Sequence, residues 1–289
     1  MSSIRHPQDT VSWQARLALS YHREAEKTVL RHEHDGPLRI FKSLYPEGES
    51  ICHNVIVHPP GGIVGGDTLD IRVSVGAGAH ALISTPGATR FYRSDDEPGT
   101  QAVHLQLADS ARLEWLPLES LAYPGCRAVN RLEMELQGAA ELIGWDILGL
   151  GLPSAGQPFN EGSFRQHIEW PGIWREQALI DGRDHRLLDS PVGLDGQRCV
   201  GTLWLASGQA LEPARKDRML EAVRAVLDAG DRSVSGARVA ASCPNPQLLV
   251  VRGVAPLVEP LMQVMQLAWR ELRRSAWGLS GDSPRIWQV

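Results

Sequence analysis

The stretch HPPGGIVGGD, from His58 to Asp67, combines two prolines and four glycines within ten residues. The prolines fix φ and remove two backbone donors, while the glycines permit conformations and close approaches that a side chain forbids. A tight turn needs only one or two glycines, so the stretch predicts a specific backbone shape. We expect Gly65 and Gly66 to require positive φ. The predicted structural signature comprises Pro59, Pro60, Gly61, Gly62, Gly65 and Gly66.

Nucleotide binding is not indicated by this stretch, because no Gly-Lys-Ser/Thr follows it and it contains no GxGxxG pattern. Outside it, polar and apolar residues alternate with period two through the first two thirds of the chain. The clearest runs are LDIRVSV (Leu69–Val75), QAVHLQL (Gln101–Leu107) and RLEMELQ (Arg131–Gln137). Glycine, proline and aspartate separate such runs at roughly 8–12-residue spacing. The sequence predicts a mainly β fold, a large β-sandwich or β-helix-like body of many short strands. No fixed-period repeat that would argue for a solenoid is visible.

Helical periodicity is confined to the end of the chain. Apolar residues at helical spacing begin at Pro213, and the pattern ends at Gly230, which matches the usual proline and glycine positions at helix termini. A second helix is predicted over Leu257–Ser275. Between the helices, Ala237–Ser242 and Gln247–Val254 are predicted strands. These elements together indicate a small C-terminal α+β lobe containing two helices.

Two units are therefore predicted, a β-rich body over residues 1–206 that carries the signature and an α+β lobe over residues 207–289. The boundary is soft, and a single domain is the alternative. A net charge of −5 gives no electrostatic case for nucleic acid. No apolar run reaches the ~20 residues of a membrane span, and the first residues lack a secretory stretch. Four separated cysteines without CxxC fit reduced thiols. We expect a soluble, cytoplasmic protein without nucleic-acid or membrane partners.

Histidine and cysteine cluster near the signature, which raises the question of a metal site. His53 and His58 are candidate ligands for nickel, copper or zinc. In an extended strand, however, His53 faces one side and Cys52 and His58 face the other, so the cluster does not converge by itself. Structural roles and transient metal contact both stay open for these histidines.

Catalysis is poorly supported, because GxSxG, HExxH and SxxK motifs are all absent. Cys126 has Arg127 beside it but no histidine nearby to act as its base. Asp181 precedes Gly182, a pair typical of turns. The alternatives are a β-fold metal-dependent hydrolase using His53, His58, Asp67 and Asp181, and a saccharide-binding β-sandwich using tryptophans.

Five segments, in order and well spaced, resemble the urease accessory protein D (UreD, or UreH) family. They are HPPGGIVGGDTL (His58–Leu69), STPGATRFYRS (Ser84–Ser94), LEWLPLESLAYPG (Leu113–Gly125), GWDILGLG with GQPFNEG (Gly144–Gly162), and PRIW (Pro284–Trp287). Three places depart from the family pattern. Leu118 replaces a usual glutamine, Leu152 replaces a common arginine, and Thr89-Arg90 replaces a small residue followed by lysine in some relatives, which is a milder change.

The resemblance implies a non-enzymatic chaperone for nickel urease with a largely β fold. Members of that family bind apo-urease, recruit UreF, and through UreF recruit the GTPase UreG. The resemblance also implies an internal path for transient Ni²⁺, with no tightly bound cofactor. The positions that match it are Asp67, Thr89, Asp146 and Asp181, whose oxygens bind a divalent cation weakly enough to release it.

Overall fold

Two facing β-sheets form the body of the computed structural model, which describes residues 12–229 and 236–288. In spatial order the seven-stranded sheet contains β14 (Trp174–Asp181), β13 (Ser163–Trp170), β11 (Arg127–Leu136), β8 (Gly99–Leu107), β5 (Thr68–Val75), β1 (Gln14–Glu24) and β2 (Lys27–Asp35). The ten-stranded sheet contains β16 (Arg238–Asn245), β17 (Leu248–Ala255), β15 (Cys199–Ser207), β12 (Glu141–Leu150), β9 (Arg112–Leu116), β6 (His80–Ser84), β4 (Ile51–Val57) and β3 (Arg39–Ile40), with β10 (Ser120–Ala122) and β7 (Thr89–Phe91) branching from β12.

Between β4 and β13 the chain winds back and forth between the sheets, and strands of successive coils pair in parallel. Thr68, Thr100, Val129 and Arg165 stack directly, so successive coils are 32, 29 and 36 residues long. The predicted mainly β fold with a β-helix-like body is thereby confirmed. The stacked coils leave no fixed-period repeat in the sequence, because coils of unequal length stack in register.

Alternation along each strand directs one set of side chains into the space between the sheets. Ile71, Val103, Leu132 and Ile168 form one such stack across four strands, and all are buried. Burial of each aliphatic side chain contributes about 1.5–3 kcal/mol relative to exposure. This repeated stacking stabilises the body of the protein.

Three α-helices lie within the described residues: α1 (His185–Asp189), α2 (Pro213–Ala229) and α3 (Val258–Trp277), with 3₁₀ turns at Pro153–Ala155 and Arg285–Gln288. Helices α2 and α3 pack against the outer face of the ten-stranded sheet. None of the helices described is both long and apolar enough to cross a bilayer.

The two longer helices correspond to the helices predicted from the sequence. Helix α2 begins at Pro213 as expected, and the predicted end at Gly230 lies outside the described residues. Helix α3 ends at Gly278, whose φ of 67° allows its amide to bond the last carbonyls. The predicted intervening strands correspond to β16 and β17, which continue the ten-stranded sheet. The division at residues 206 and 207 stays a prediction.

A buried ion cluster attaches α3 to the sheet. The Arg273 guanidinium, with none of its side chain exposed, donates to both Glu114 carboxylate oxygens at 3.1 Å and to both Glu47 oxygens at 2.7 and 2.8 Å. The Trp269 indole donates to Glu114 at 2.8 Å. Burial by itself raises the pKa of Glu47, but hydrogen bonds from His53 and Arg273 outweigh it and lower that pKa to about 2.

We predict that Arg273→Ala will lower the free energy of unfolding by about 3–5 kcal/mol, because it leaves Glu114 as an uncompensated buried charge. Urea denaturation at neutral pH measures the loss. Arg270→Ala is the matched control on the same helix, since Arg270 contacts Ser283 at the surface and we expect a change of no more than about 0.5 kcal/mol. Equal effects of the two substitutions would contradict the anchoring role.

Candidate functional site

The signature forms the connection from β4 to β5 and consists of two turns separated by one strand-like residue. The Gly61 amide donates to the His58 carbonyl at 2.9 Å, and the Asp67 amide donates to the Val64 carbonyl at 3.1 Å. Between the turns, Ile63 forms a parallel bridge with Phe91 of β7. The stretch thus ties three segments of the coil together.

Asp67 is buried and fastens the first strand to the signature. Its Oδ1 accepts from the Trp13 amide at 2.8 Å, and its Oδ2 accepts from the Val64 amide at 3.0 Å. The Asp67 carbonyl also accepts from the Thr100 amide at 2.8 Å. The side chain therefore serves as a backbone cap in this conformation.

The two glycines of the second turn are required for different reasons. Gly66 has φ of +85°, a conformation that L residues disfavour, and a Cβ there would lie 3.0 Å from the Ser12 Cβ. Gly65 does not have positive φ, so the expectation for that residue was wrong. A Cβ at Gly65 would lie 2.7 Å from the Glu97 carbonyl oxygen, and close approach is its constraint.

A cavity of about 230 Å³, partly open to solvent, lies beside the signature. Its wall includes His58, Leu69, Thr85, Thr89, Gln101 and Trp115. The buried Nε2 atom of His58 has no hydrogen-bond partner among the described residues. Burial lowers the pKa of His58, and the charge of Asp67 opposes that shift. A neutral imidazole beside a cavity is able to bind a cation transiently.

A line of polar side chains continues from this cavity into the core. Gln101 Nε2 donates to Asn130 Oδ1 at 3.2 Å, and Asn130 Nδ2 donates to Asp146 Oδ2 at 2.8 Å. The same Asn130 amide donates to Gln166 Oε1 at 3.3 Å. Gln101, Asn130 and Gln166 stack directly on β8, β11 and β13, so we call Gln101, Asn130, Gln166 and Asp146 the interior polar line.

At its far end the interior polar line approaches Glu176, whose carboxylate accepts from Thr202 at 2.6 Å and from Arg252 at 2.6 and 2.9 Å. Burial raises the pKa of Asp146 to about 6, hydrogen bonds from Gln166 and Asn130 partly oppose this, and the charge of Glu176 adds to it. Asp146 is therefore a carboxylate whose ionisation costs free energy.

The remaining predicted site residues do not converge with these. His53 lies on the opposite face of β4 from Cys52, and its Nε2 contacts Glu47 at 2.8 Å in the ion cluster. Asp181 is the exposed last residue of β14, and its carboxylate accepts from the Arg183 amide at 2.9 Å. The ligand set of the alternative hydrolase, with His53, His58, Asp67 and Asp181, is thus dispersed.

Nucleophilic chemistry at Cys126 receives no support either. The side chain is buried, and burial raises the pKa of its thiol to about 12. All four cysteines, each within the described part of the chain, are free.

Sequence reasoning missed the amides of the interior polar line. The signal was present, because Gln101 shares the alternation of Val103 and Leu105, and Asn130 shares that of Leu132 and Met134. A polar residue at an inward position of a strand pattern is informative, since buried polar groups need partners.

Comparison with known proteins assigns the chain to a family. Residues 14–288 match the family described as UreD urease accessory protein. The chain belongs to this family. The protein named urease accessory protein UreD in Albidiferax ferrireducens is 54% identical to this chain, and the alignment covers 96% of this chain and 100% of that protein. The protein of the same name in Variovorax paradoxus is 51% identical, and the alignment covers 96% of this chain and 99% of that protein. The corresponding protein of Verminephrobacter eiseniae is 55% identical over 96% of this chain and 99% of its own.

Membership of the UreD family supports a role in urease maturation, and the accessory-protein names point to a non-catalytic one. Three of the quoted family segments meet beneath α3. Trp145, from GWDILGLG, and Trp287, from PRIW, have ring centroids 5.1 Å apart, and Trp287 lies at the same distance from Trp269. Glu114, from LEWLPLES, is the buried acceptor of the ion cluster. These segments therefore attach the helical layer.

We predict that Gly66→Ala will lower the free energy of unfolding by at least about 1–2 kcal/mol, because a left-handed conformation is costly with a Cβ. Gly87→Ala, in a nearby loop where an added Cβ meets open space among the described residues, is the control and should be close to neutral. Denaturant unfolding of the three proteins checks this. A Gly66 variant as stable as the wild type would exclude the backbone requirement.

We predict that Asp146→Asn will increase stability at pH 7 by about 2 kcal/mol, because the folded protein raises the pKa of this carboxyl from 3.8 to about 6. A raised acid pKa means that the native state binds the proton more tightly. The free-energy cost of ionising Asp146 in the folded protein is therefore complete above pH 6 and disappears below about pH 4. Unfolding curves at pH 7 and pH 4 should show the gain at pH 7 alone, and a pH-independent difference would be evidence against the shift.

Proposed function

We propose that the protein is a cytoplasmic urease maturation chaperone that binds apo-urease, recruits UreF and, through UreF, the GTPase UreG, and assists nickel delivery to the urease active site. The observation that carries the proposal is the interior polar line inside the β-helix-like body of a UreD family member. Four free thiols fit a reducing compartment.

Nickel is the cargo in this proposal, and the interior residues supply suitable donors. Carboxylate, amide and hydroxyl oxygens and a neutral imidazole bind a borderline divalent cation without the tight grip of several thiolates. His58 and Thr89 line the cavity, and Asp146 lies two hydrogen bonds further in from Gln101. We propose these three residues as transit contacts.

The other candidate contacts have weaker support from their surroundings. Both Asp67 oxygens accept backbone amides, so binding a cation there would require that cap to open. Asp181 is exposed and is a contact only at the surface. His53 is engaged with Glu47, which makes it a poorer donor than His58.

Co-expression of the tagged protein with apo-urease and the other accessory proteins tests the partners. We expect it to co-purify with urease and UreF, and urease activation to depend on it. If it purifies alone and urease activates normally without it, the proposed function is overturned.

For nickel transit, the decisive comparison is Asp146→Asn against Asp181→Asn. Both variants should keep the complexes, because neither carboxylate is required by the fold. We expect Asp146→Asn to lower the nickel content of urease several-fold, since the replacement removes the one negative charge of the interior polar line, while Asp181→Asn leaves it within twofold. Metal analysis of purified urease measures the effect. Normal nickel content with Asp146→Asn would rule out transit by this residue.

A further inference from the structure

The outer face of the seven-stranded sheet carries a cluster of metal-ligand side chains separate from the interior polar line. His104 on β8, Glu133 on β11 and Glu169 on β13 are direct neighbours in register across three parallel strands. His167 lies two residues before Glu169 and therefore on the same face. On β11 the inward direction is taken by Leu132 and Met134, which are buried.

The donor atoms of this outer cluster are close together. The ligand atoms of Glu133, His167 and Glu169 all lie within 4.8 Å of one another. His167 Nε2 is 2.8 Å from Glu169 Oε2, and His104 Nδ1 is 3.2 Å from Glu133 Oε2. Donor atoms that each lie about 2.1 Å from a tetrahedral zinc ion are about 3.4 Å from one another. The widest pair of this set, within 4.8 Å in the structure, must therefore close by up to about 1.4 Å, which rotation of the glutamate and histidine side chains on fixed strands allows.

We propose that Glu133, His167 and Glu169, with His104 as a fourth donor, form a surface site for one divalent cation of the borderline class such as Zn²⁺ or Ni²⁺. Two imidazoles and two carboxylates match the ligand preference of these ions and not that of Mg²⁺ or Ca²⁺. The side chains of Glu133, His167 and Glu169 are 27%, 17% and 16% exposed, so an ion has access from solvent. Rigid neighbouring strands fix the backbone positions of all four residues.

Two arginines modulate this site. Arg131 pairs with Glu133, and Arg175 donates to Glu169 Oε1. These exposed pairs are worth little by themselves, about 0–1 kcal/mol each. Each competes with a cation for its carboxylate, so they weaken binding and keep it reversible. Removal of one arginine is therefore expected to tighten binding.

Isothermal titration of the purified full-length protein with ZnCl₂, with Mg²⁺ in excess, tests the site. We expect His167→Ala and Glu133→Gln each to weaken the affected site at least tenfold, and Arg175→Gln to strengthen it several-fold. His185→Ala is the matched control, because His185 contacts Asp189 at 3.0 Å without belonging to a group of three donors in the described part of the chain. Unfolding in EDTA establishes that the variants retain the apo-protein fold.

Loss of one equivalent of zinc in the His167 and Glu133 variants, with the His185 control unchanged, supports the site. The same zinc stoichiometry and affinity in all variants would overturn it, as would equal losses in the His185 control. His104→Ala provides a second route if a β13 variant is unstable, and we expect it to weaken binding as well. Because Asp146→Asn should keep this equivalent, failure here is distinguishable from failure of nickel transit, which is measured on urease.

Discussion

The Arg273 guanidinium links the two layers of the protein, because it bonds two carboxylates from separate parts of the β-body at once. Glu114 lies on β9, and Glu47 precedes β4. Removing three charges from water is costly unless each is matched, and here every charge has an opposite partner and further hydrogen bonds from Trp269 and His53. The geometry fixes how α3 lies on the ten-stranded sheet, and with it the packing of Trp145, Trp269 and Trp287.

On the other side of that sheet, the stacks of aliphatic side chains inside the β-helix-like body are interrupted by polar residues. Gln101, Asn130 and Gln166 occupy one inward level of three consecutive coils. Each amide must find partners, and it finds them in the amide above or below or in Asp146. The folded protein would be more stable with apolar side chains at these three positions. Residues that break the local pattern at a stability cost are where function is expected.

Alternation and turn chemistry were enough to predict the β-rich body and both longer helices, because each is encoded by a local period. The stacking of coils was not predictable in the same way, since the coils differ in length and register is set by contacts between distant residues. For the site, His58 was identified from the cluster of histidines and cysteine near the signature, and Asp146 was identified through the resemblance. The amides joining Asp146 to the cavity were not, because a single inward Asn130 or Gln101 becomes informative only when the strands stack. Asp181 was also identified through the resemblance, but in the structure its carboxylate accepts a backbone amide of the turn that follows it.

Two carboxylates of the same body, the buried Glu114 and the half-buried Asp146, show how surroundings assign different roles. Burial raises the pKa of both, but at Glu114 the hydrogen bond from His80 and the charge of Arg273 outweigh it and leave the pKa lowered. Asp146 has amides and the Glu176 carboxylate as neighbours, and its pKa is raised to about 6. The attraction of Glu114 for a cation is thus already satisfied by an arginine that cannot leave, which makes it structural. The ionised Asp146 carboxylate has no cationic side chain as a partner among the groups that shift its pKa. A divalent cation bound there for a short time would stabilise the ionised carboxylate during that time.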